Sequence, residues 1–375
     1  MSLAVDTPAR EDLRHDAECA LDRFFAGKIA LAGRYGPRYV RLWQAARRAS
    51  SHGKRIRPAL VLETYASLHE RAQQDGAPGP VLNETSPAGD PGSAAAVAVA
   101  VAFELLHTAF LMHDDAIDGD VVRRGEPNLI GSFRADAVLG GSSDAAAAEW
   151  GEAASILAGD LLIHAAQSQV AHLDIDRVRR EALLNVLDDA VFEAAAGELH
   201  DVAFSTEVEP PEVSDAQAMS EWKTASYSFV APLRAGAILA GAAGSTQRAL
   251  AQFGRHTGIA FQLRDDLLGV FGDERMTGKT ASGDIRRAAK TPLLCIALQS
   301  RAGDELRSIL GGDPDDAAVA RVRTLLRSSG AVGFVERMID DSIDAARAQL
   351  ENPGVPARLR AYLSDVAGTA GRRVS

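Results

Sequence analysis

Residues Ala94–Asp118 read AAAVAVAVAFELLHTAFLMHDDAID, and this stretch decides the fold. It is apolar down to Met112, is interrupted by Glu104 and His107, and closes on Asp114, Asp115 and Asp118. A membrane span tolerates neither a carboxylate near its centre nor a cluster of them at its end, so no membrane span is expected. The segment reads as a helix buried inside a large soluble protein. Outward from it, apolar residues recur at helical spacing through most of the chain, Ala and Leu are abundant, and period-two alternation is nearly absent. The expected fold class is all-α.

Helices are expected over Arg10–Leu31, Arg38–Ala49, Pro58–Gln73, Ala94–Asp118, Trp150–Leu173, Val178–Phe204, Val213–Ala242, Thr246–Phe271, Thr291–Arg301, Ala317–Arg327, Val332–Leu350 and Pro356–Val366. Pro58 suits a first turn, Ser93 and Asp215 suit caps or first turns, and Gly272 and Gly330 suit helix ends. The Pro/Gly-rich stretch Gln74–Gly92 reads as a surface insertion and Leu139–Ala147 as a flexible loop. No fixed short repeat and no sharp change in composition divides the chain, so a single domain over 1–375 is expected.

The 375 residues are 46% hydrophobic, with 40 Lys+Arg against 51 Asp+Glu and a net charge of -11. That is apolar enough for a substantial core and excludes a disordered chain. The acidic balance excludes nucleic acid as the main partner, since neutralising its phosphates requires a basic surface. A smaller phosphate-bearing ligand must then be met by a local basic patch or a metal. Cys19 and Cys295 are too few for a disulfide framework or a zinc site, and the N-terminus lacks a basic, apolar leader. The expected location is the reducing cytoplasm.

The chemistry gathers at helix ends. Asp114 and Asp118 lie about 40° apart on one face, one turn from each other. Carboxylates so placed repel unless a cation lies between them, and hard oxygen ligands of this kind suit Mg²⁺ shared with substrate phosphates. Arg123 and Arg124 follow with fixed positive charge. The pattern alone does not establish a site: Asp340, Asp341 and Asp344 repeat it on what reads as an exposed amphipathic helix. A second acidic pair, Asp265 and Asp266 in FQLRDDLLGVFG (261–272), strengthens the case, because two acidic helix ends can face each other across a bundle and hold Mg²⁺ ions. Lys279, Asp284 and Lys290 follow it. Gly53–Pro58, GKRIRP, brings Lys54 and Arg57 to a helix entrance that can clamp an anion. Trp222–Pro232, WKTASYSFVAP, places Lys223 and Thr224 inside an apolar helix, where a snorkelling lysine is the plainer alternative.

Taken in order, GKRIRP, ELLHTAFLMHDDAIDGDVVRRG, GEAASILAGDLL, EAAAGELHD, WKTASYSF and FQLRDDLLGVFGD with TGKTASGD and KTP resemble the trans-isoprenyl diphosphate synthases, the polyprenyl synthetase family, over roughly Arg38–Leu298. The resemblance implies antiparallel helices around a deep central cavity and a homodimer. It also implies condensation of isopentenyl diphosphate with an allylic diphosphate, using two or three Mg²⁺ ions. It makes Asp114 and Asp118 metal ligands on the allylic diphosphate, supported by Asp115, and Asp265, beside Asp266, the ligand of a further ion. Arg123 would hold the allylic diphosphate. Gly53, Lys54, Arg57, His107 and Arg124 would form the isopentenyl site. Lys223, Lys279 and Lys290 would neutralise the leaving diphosphate, and Thr224 and Gln262 would set oxygens beside the developing cation.

Three departures stand out: Gly269 where a third Asp is common, Glu198 where Gln is usual, and an unusual approach to Lys290. Product length follows from the residues preceding Asp114. Phe110, Ala109, His107, Leu106 and Phe103 lie on or near the stripe facing the metals, and one turn of about 5.4 Å is roughly one isoprene unit. Small Ala109 leaves the first turn open, while Phe110, Phe103 and Leu106 block a very long chain. The expected product is C20, with C15 second.

Overall fold

The structure, a computed structural model, describes residues 8–51, 53–75, 91–206, 211–272 and 283–372, which are helical almost throughout. The fold is all-α. Among the described residues the strands are Val122–Arg123 (β1) and Glu126–Pro127 (β2), an antiparallel pair. The chain divides into two compact units, Met1–Leu187 with Pro232–Ala243 and Asp188–Ala231 with Gly244–Ser375. The first boundary falls inside a helix, so no Pro/Gly-rich linker marks it in the sequence.

The first unit contains α1 (Pro8–Ala32), α2 (Pro37–Ser50), α3 (Ile56–Gln74), α4 (Pro91–Asp118), α5 (Leu129–Leu139) and α6 (Asp144–Ala171). Its core is α4, packed against α6, α3 and α1. Residues Gly92–Asp118 are long and apolar enough to cross a membrane, but 78% of their most apolar window is buried inside the protein. This is a core helix. Phe103, Leu105, Leu106 and Met112 are at most 2% exposed, and each contributes about 1.5–3 kcal/mol by leaving water. Ser155 on α6 donates to the Met112 carbonyl at 2.8 Å. Buried Glu104 is satisfied by Arg55, which takes a left-handed conformation (φ 51) just before α3.

A long helix, α7 (Arg177–Thr206), spans the boundary. Within the second unit, α8 (Val213–Ser220) leads into a π-helical segment, Glu221–Val230; α9 (Ala231–Leu239) belongs from Pro232 onward to the first unit, and the chain re-enters the second at Gly244. There follow α10 (Gly244–Phe271), α11 (Gly283–Arg286), α12 (Pro292–Leu298), α13 (Gly303–Leu310), α14 (Asp316–Ser328), α15 (Ala331–Gln349) and α16 (Ala357–Arg372). The centre of this unit is α10, packed on the π-helical segment, α15 and α16. Two glycines bring backbones together there. A Cβ on Gly258 would stand 2.3 Å from the Ala225 Cβ, and one on Gly197 would stand 2.3 Å from the Lys223 nitrogen.

Three sequence expectations need correction. The Leu139–Ala147 loop shrinks to residues 140–143, because Asn128 and Ser143 cap α5 and α6 through their side chains and stabilise helix on both sides. The expected Val213–Ala242 helix is interrupted by the π-helical turns, whose wider hydrogen-bond register apolar periodicity does not report. The segment Thr291–Arg301 stops at Leu298, and α13 was not foreseen because eight residues give too short a window for periodicity. Most of the Gln74–Gly92 stretch lies outside the described residues.

Gly258→Ala forces Cβ against the π-helical backbone. It is expected to destabilise the protein by about 1–3 kcal/mol, measured as a lower denaturant midpoint. An unchanged midpoint would contradict this close approach.

Candidate active site

The C-terminal end of α4 is an electrostatic problem that the following residues solve. Three carboxylates sit at the negative end of a helix dipole, where like charge is unfavourable. Gly119 (φ 70) ends the helix in a Schellman turn, with the Asp120 N–H bonded to the Asp115 carbonyl at 2.9 Å. The chain then forms the β1–β2 hairpin, whose two turn residues, Arg124 (φ 58) and Gly125 (φ 78), both take positive φ. Arg123 in β1 thereby points back at the helix end. Its Nη2 is 3.0 Å from Asp114 Oδ2 and 2.5 Å from Asp115 Oδ1, and its Nε is 2.8 Å from Asp115 Oδ1. Burial raises the pKa of Asp115, partly offset by Arg123. Burial lowers that of Arg123, but Asp115 and Asp114 outweigh it and hold the pKa above the ordinary arginine value. Asp118 remains exposed at the helix end.

Two turns earlier on α4, His107 has a pKa well below the ordinary value. Burial is the main cause, and Arg57, Arg123, Arg124 and Arg55 add to it. Four guanidinium groups around one neutral imidazole make a field suited to a polyanion. The hairpin and the GKRIRP segment converge: an added Cβ on Gly53 would lie 3.8 Å from Arg124 Nη2. Lys54 is exposed beside it. The structure thus brings Asp114, Asp115, Arg123, Arg124, Arg57, His107 and Gly53 into one neighbourhood. Below it, Phe103 and Leu106 are 1% exposed and Ala109 is fully buried, whereas Phe110 is only partly buried.

In the second unit, Lys223 from the π-helical segment meets two carboxylates on α7, with Nζ 2.7 Å from Asp201 Oδ2 and 3.0 Å from Glu198 Oε2. Glu198 therefore places a negative charge directly opposite Lys223. Thr224 Oγ1 donates to Gln262 Oε1 at 2.8 Å, and Gln262 Nε2 donates to Asp266 Oδ1 at 2.9 Å. Asp266 is 4% exposed, and its Oδ2 has no hydrogen-bond partner among the described residues. Its pKa lies well above the carboxylate range. Burial is the first cause, opposed by the Gln262 hydrogen bond and reinforced by Asp284, Asp265 and Asp201.

Lys290 stands beside Cys295, whose thiol burial pushes up to about 12. Lys279 lies outside the described residues. The DDSID copy at 340–344 presents all three aspartates to solvent. Sequence reasoning missed Arg55, Glu104 and Asp201. The left-handed backbone that turns Arg55 towards Glu104 leaves no pattern in composition.

Among the described residues no group of three or more His, Cys, Asp or Glu side chains is placed to hold a metal ion alone. Mg²⁺ nevertheless suits this donor set, since it commonly takes one or two carboxylates and completes its shell with water and phosphate oxygens. The buried Oδ2 of Asp266, without a hydrogen-bond partner among the described residues, marks a position where a cation or a proton is needed.

A family model described as polyprenyl synthetase matches residues 41–327. The short chain isoprenyl diphosphate synthase of Methanothermobacter thermautotrophicus is 33% identical over 312 residues, covering 81% of this chain and 83% of that protein. The (2E,6E)-farnesyl diphosphate synthase of Mycobacterium bovis is 34% identical, over 84% of this chain and 78% of that protein. Among solved structures, the geranylgeranyl pyrophosphate synthase of Corynebacterium glutamicum, complexed with isoprenyl diphosphate and magnesium, aligns with a TM-score of 0.84 at 27% identity, over 97% of this chain and 98% of that one.

Two outcomes test the electrostatics. The folded-state pKa of Asp266 lies above its unfolded value, so stability falls as pH rises through the interval between them. Asp266→Asn keeps the acceptor for Gln262 and removes the charge. It is expected to gain about 1 kcal/mol at pH 8, seen as a Tm a few degrees higher, with no gain at pH 4; equal Tm values at pH 8 would refute the buried charge. His107 is neutral in the folded state, so its NMR signals should not titrate between about pH 6 and 8, and inorganic pyrophosphate should raise its pKa. A midpoint near 6.5 in the free protein would contradict the arginine field.

Proposed function

The chain belongs to the polyprenyl synthetase family, and we propose from that premise that it makes a medium-chain all-trans prenyl diphosphate. The product is geranylgeranyl diphosphate (C20) in the first instance and farnesyl diphosphate (C15) in the second. The observation that carries this reading is the double charge arrangement at the end of α4, where acidic Asp114 and Asp118 adjoin the arginine field around His107. Acid to hold cations and fixed positive charge to hold anions, side by side, suit diphosphate substrates.

Asp114 and Asp118 would hold Mg²⁺ on the allylic diphosphate and Asp265 a further ion, two or three in all. When bound, Mg²⁺ would supply Lewis-acid stabilisation of the departing oxygens. Before substrate arrives, Arg123 and Asp114 neutralise each other. As it binds, Arg123 turns to the allylic diphosphate, and Arg124, Lys54, Arg57 and His107 take the isopentenyl diphosphate. Cleavage of the allylic C–O bond leaves its electron pair on the diphosphate, where Lys223, Lys290 and Lys279 offset the growing charge.

The positive carbon left behind needs oxygens and no water. Thr224 Oγ1 and Gln262 Oε1 supply them, and Asp266 fixes which end of the Gln262 amide faces Thr224. The isopentenyl double bond then attacks that carbon, and the released diphosphate takes up the proton, so no dedicated His or Glu base is required. Phe110, partly buried one turn before Asp114, sets the floor for the growing chain, with Phe103 and Leu106 behind it. The enzyme works as a cytoplasmic homodimer. Phe192 and Leu199, seven residues apart on α7, are 78% and 68% exposed, and an apolar face of this kind supports pairing.

Purified protein supplied with Mg²⁺, isopentenyl diphosphate and C5, C10 or C15 allylic primers is expected to give C20 as the longest major product by chromatography. Elongation of no primer would refute the reading. Asp114→Ala is expected to lower kcat by about two to three orders of magnitude. Phe110→Ala should lengthen the products, and an unchanged product distribution would place the floor elsewhere.

A further inference from the structure

Gly269 leaves the second acidic motif without a third carboxylate, yet the space beside it is filled. A Cβ built on Gly269 would stand 1.9 Å from Oδ2 of Asp284 and 2.9 Å from its Cγ. No side chain fits at 269 while Asp284 stays where it is. Residue 269 is one helical turn beyond Asp265, so the two positions share a face of α10. We infer that Asp284, delivered by the short helix α11, supplies to the cation site of Asp265 the carboxylate that Gly269 lacks. The inference rests on the function proposed above and assigns one further residue to it.

Three further observations bear on this assignment. Asp284 is tethered loosely, with Oδ1 3.5 Å from Arg287 Nη2, while Oδ2 faces the glycine. Ile285 anchors α11 by being 3% exposed, which fixes Asp284 against α10. The independent pointer to a ligand is Asp266, next to Asp265 in the chain and 4% exposed, with Oδ2 lacking a hydrogen-bond partner among the described residues. A buried carboxylate oxygen among carboxylates is costly unless a cation or a proton joins them.

The test is Mn²⁺ binding to the full chain in the presence of inorganic pyrophosphate, followed by electron paramagnetic resonance, with thermal unfolding alongside. Asp284→Asn preserves shape and is expected to weaken Mn²⁺ binding by roughly tenfold or more, without loss of Tm. Asp284→Ala should match it. Adding Gly269→Asp to Asp284→Ala puts a carboxylate back into the vacated space from the helix side and should recover most of the lost affinity. Wild-type affinity in Asp284→Asn, or no recovery in the double variant, would overturn the assignment. If the wild-type protein itself binds no Mn²⁺ with pyrophosphate, the proposed function fails first and the inference with it.

Discussion

Negative charge placed at the negative ends of apolar helices is the constraint on which the rest of this structure depends. Each carboxylate in the last turn of a helix loses about 0.3–1 kcal/mol to the dipole, and neighbouring carboxylates add mutual repulsion. In the first unit the cost is met by Arg123, reaching back from a hairpin to Asp114 and Asp115. In the second unit the carboxylates stand more than a turn from their helix ends, and mutual repulsion is the main cost: Lys223 neutralises Glu198 and Asp201, while Asp266 keeps a buried oxygen with no hydrogen-bond partner among the described residues. A chain selected for stability alone has no use for either arrangement. A chain that must receive cations and polyanions together does, because the unfavourable charge is relieved on binding.

Holding such charges in place requires rigid support, which the apolar packing supplies. In the first unit, α4 is fixed along its length by the Arg55 pair to Glu104 and by the Ser155 bond to the Met112 carbonyl. In the second, Gly197 and Gly258 let α7 and α10 close on the π-helical segment, so that Lys223 and Thr224 project from a backbone gripped on two sides. The extra residue in a π-helical turn alters which side chains share a face. Here it belongs to the segment that carries an ammonium and a hydroxyl from an apolar stretch.

The all-α class, the core role of Ala94–Asp118 and the two acidic helix ends were legible because each is written in the period of a single helix. The two compact units and the π-helical turns were not, since neither changes composition. The hairpin after α4 spans too few residues to alternate visibly. Asp201 and Glu198 could be quoted from EAAAGELHD, but their meeting with Lys223 joins elements more than twenty residues apart. Gly269 is the instructive case. Read along the chain it is a missing ligand, and read in space it is the vacancy that admits Asp284. Linear motifs record which residues are adjacent in sequence and cannot record which segment occupies an empty place.

The link between α4 and the hairpin has a fixed length for mechanical reasons. Four residues, Gly119 to Val122, separate Asp118 from Arg123, and they are tied at each step: Asp120 to the Asp115 carbonyl, Asn128 to the Asp120 and Val121 carbonyls, and Gly131 so close that any Cβ would stand 2.2 Å from the Val121 oxygen. One residue more or less would shift the strand by half a pleat and send the Arg123 guanidinium to the opposite face. Over evolutionary time this is therefore a stretch that can exchange residues yet cannot change its count. In an alignment of its descendants the mark of the site would be the absence of gaps across it as much as the identity of its letters.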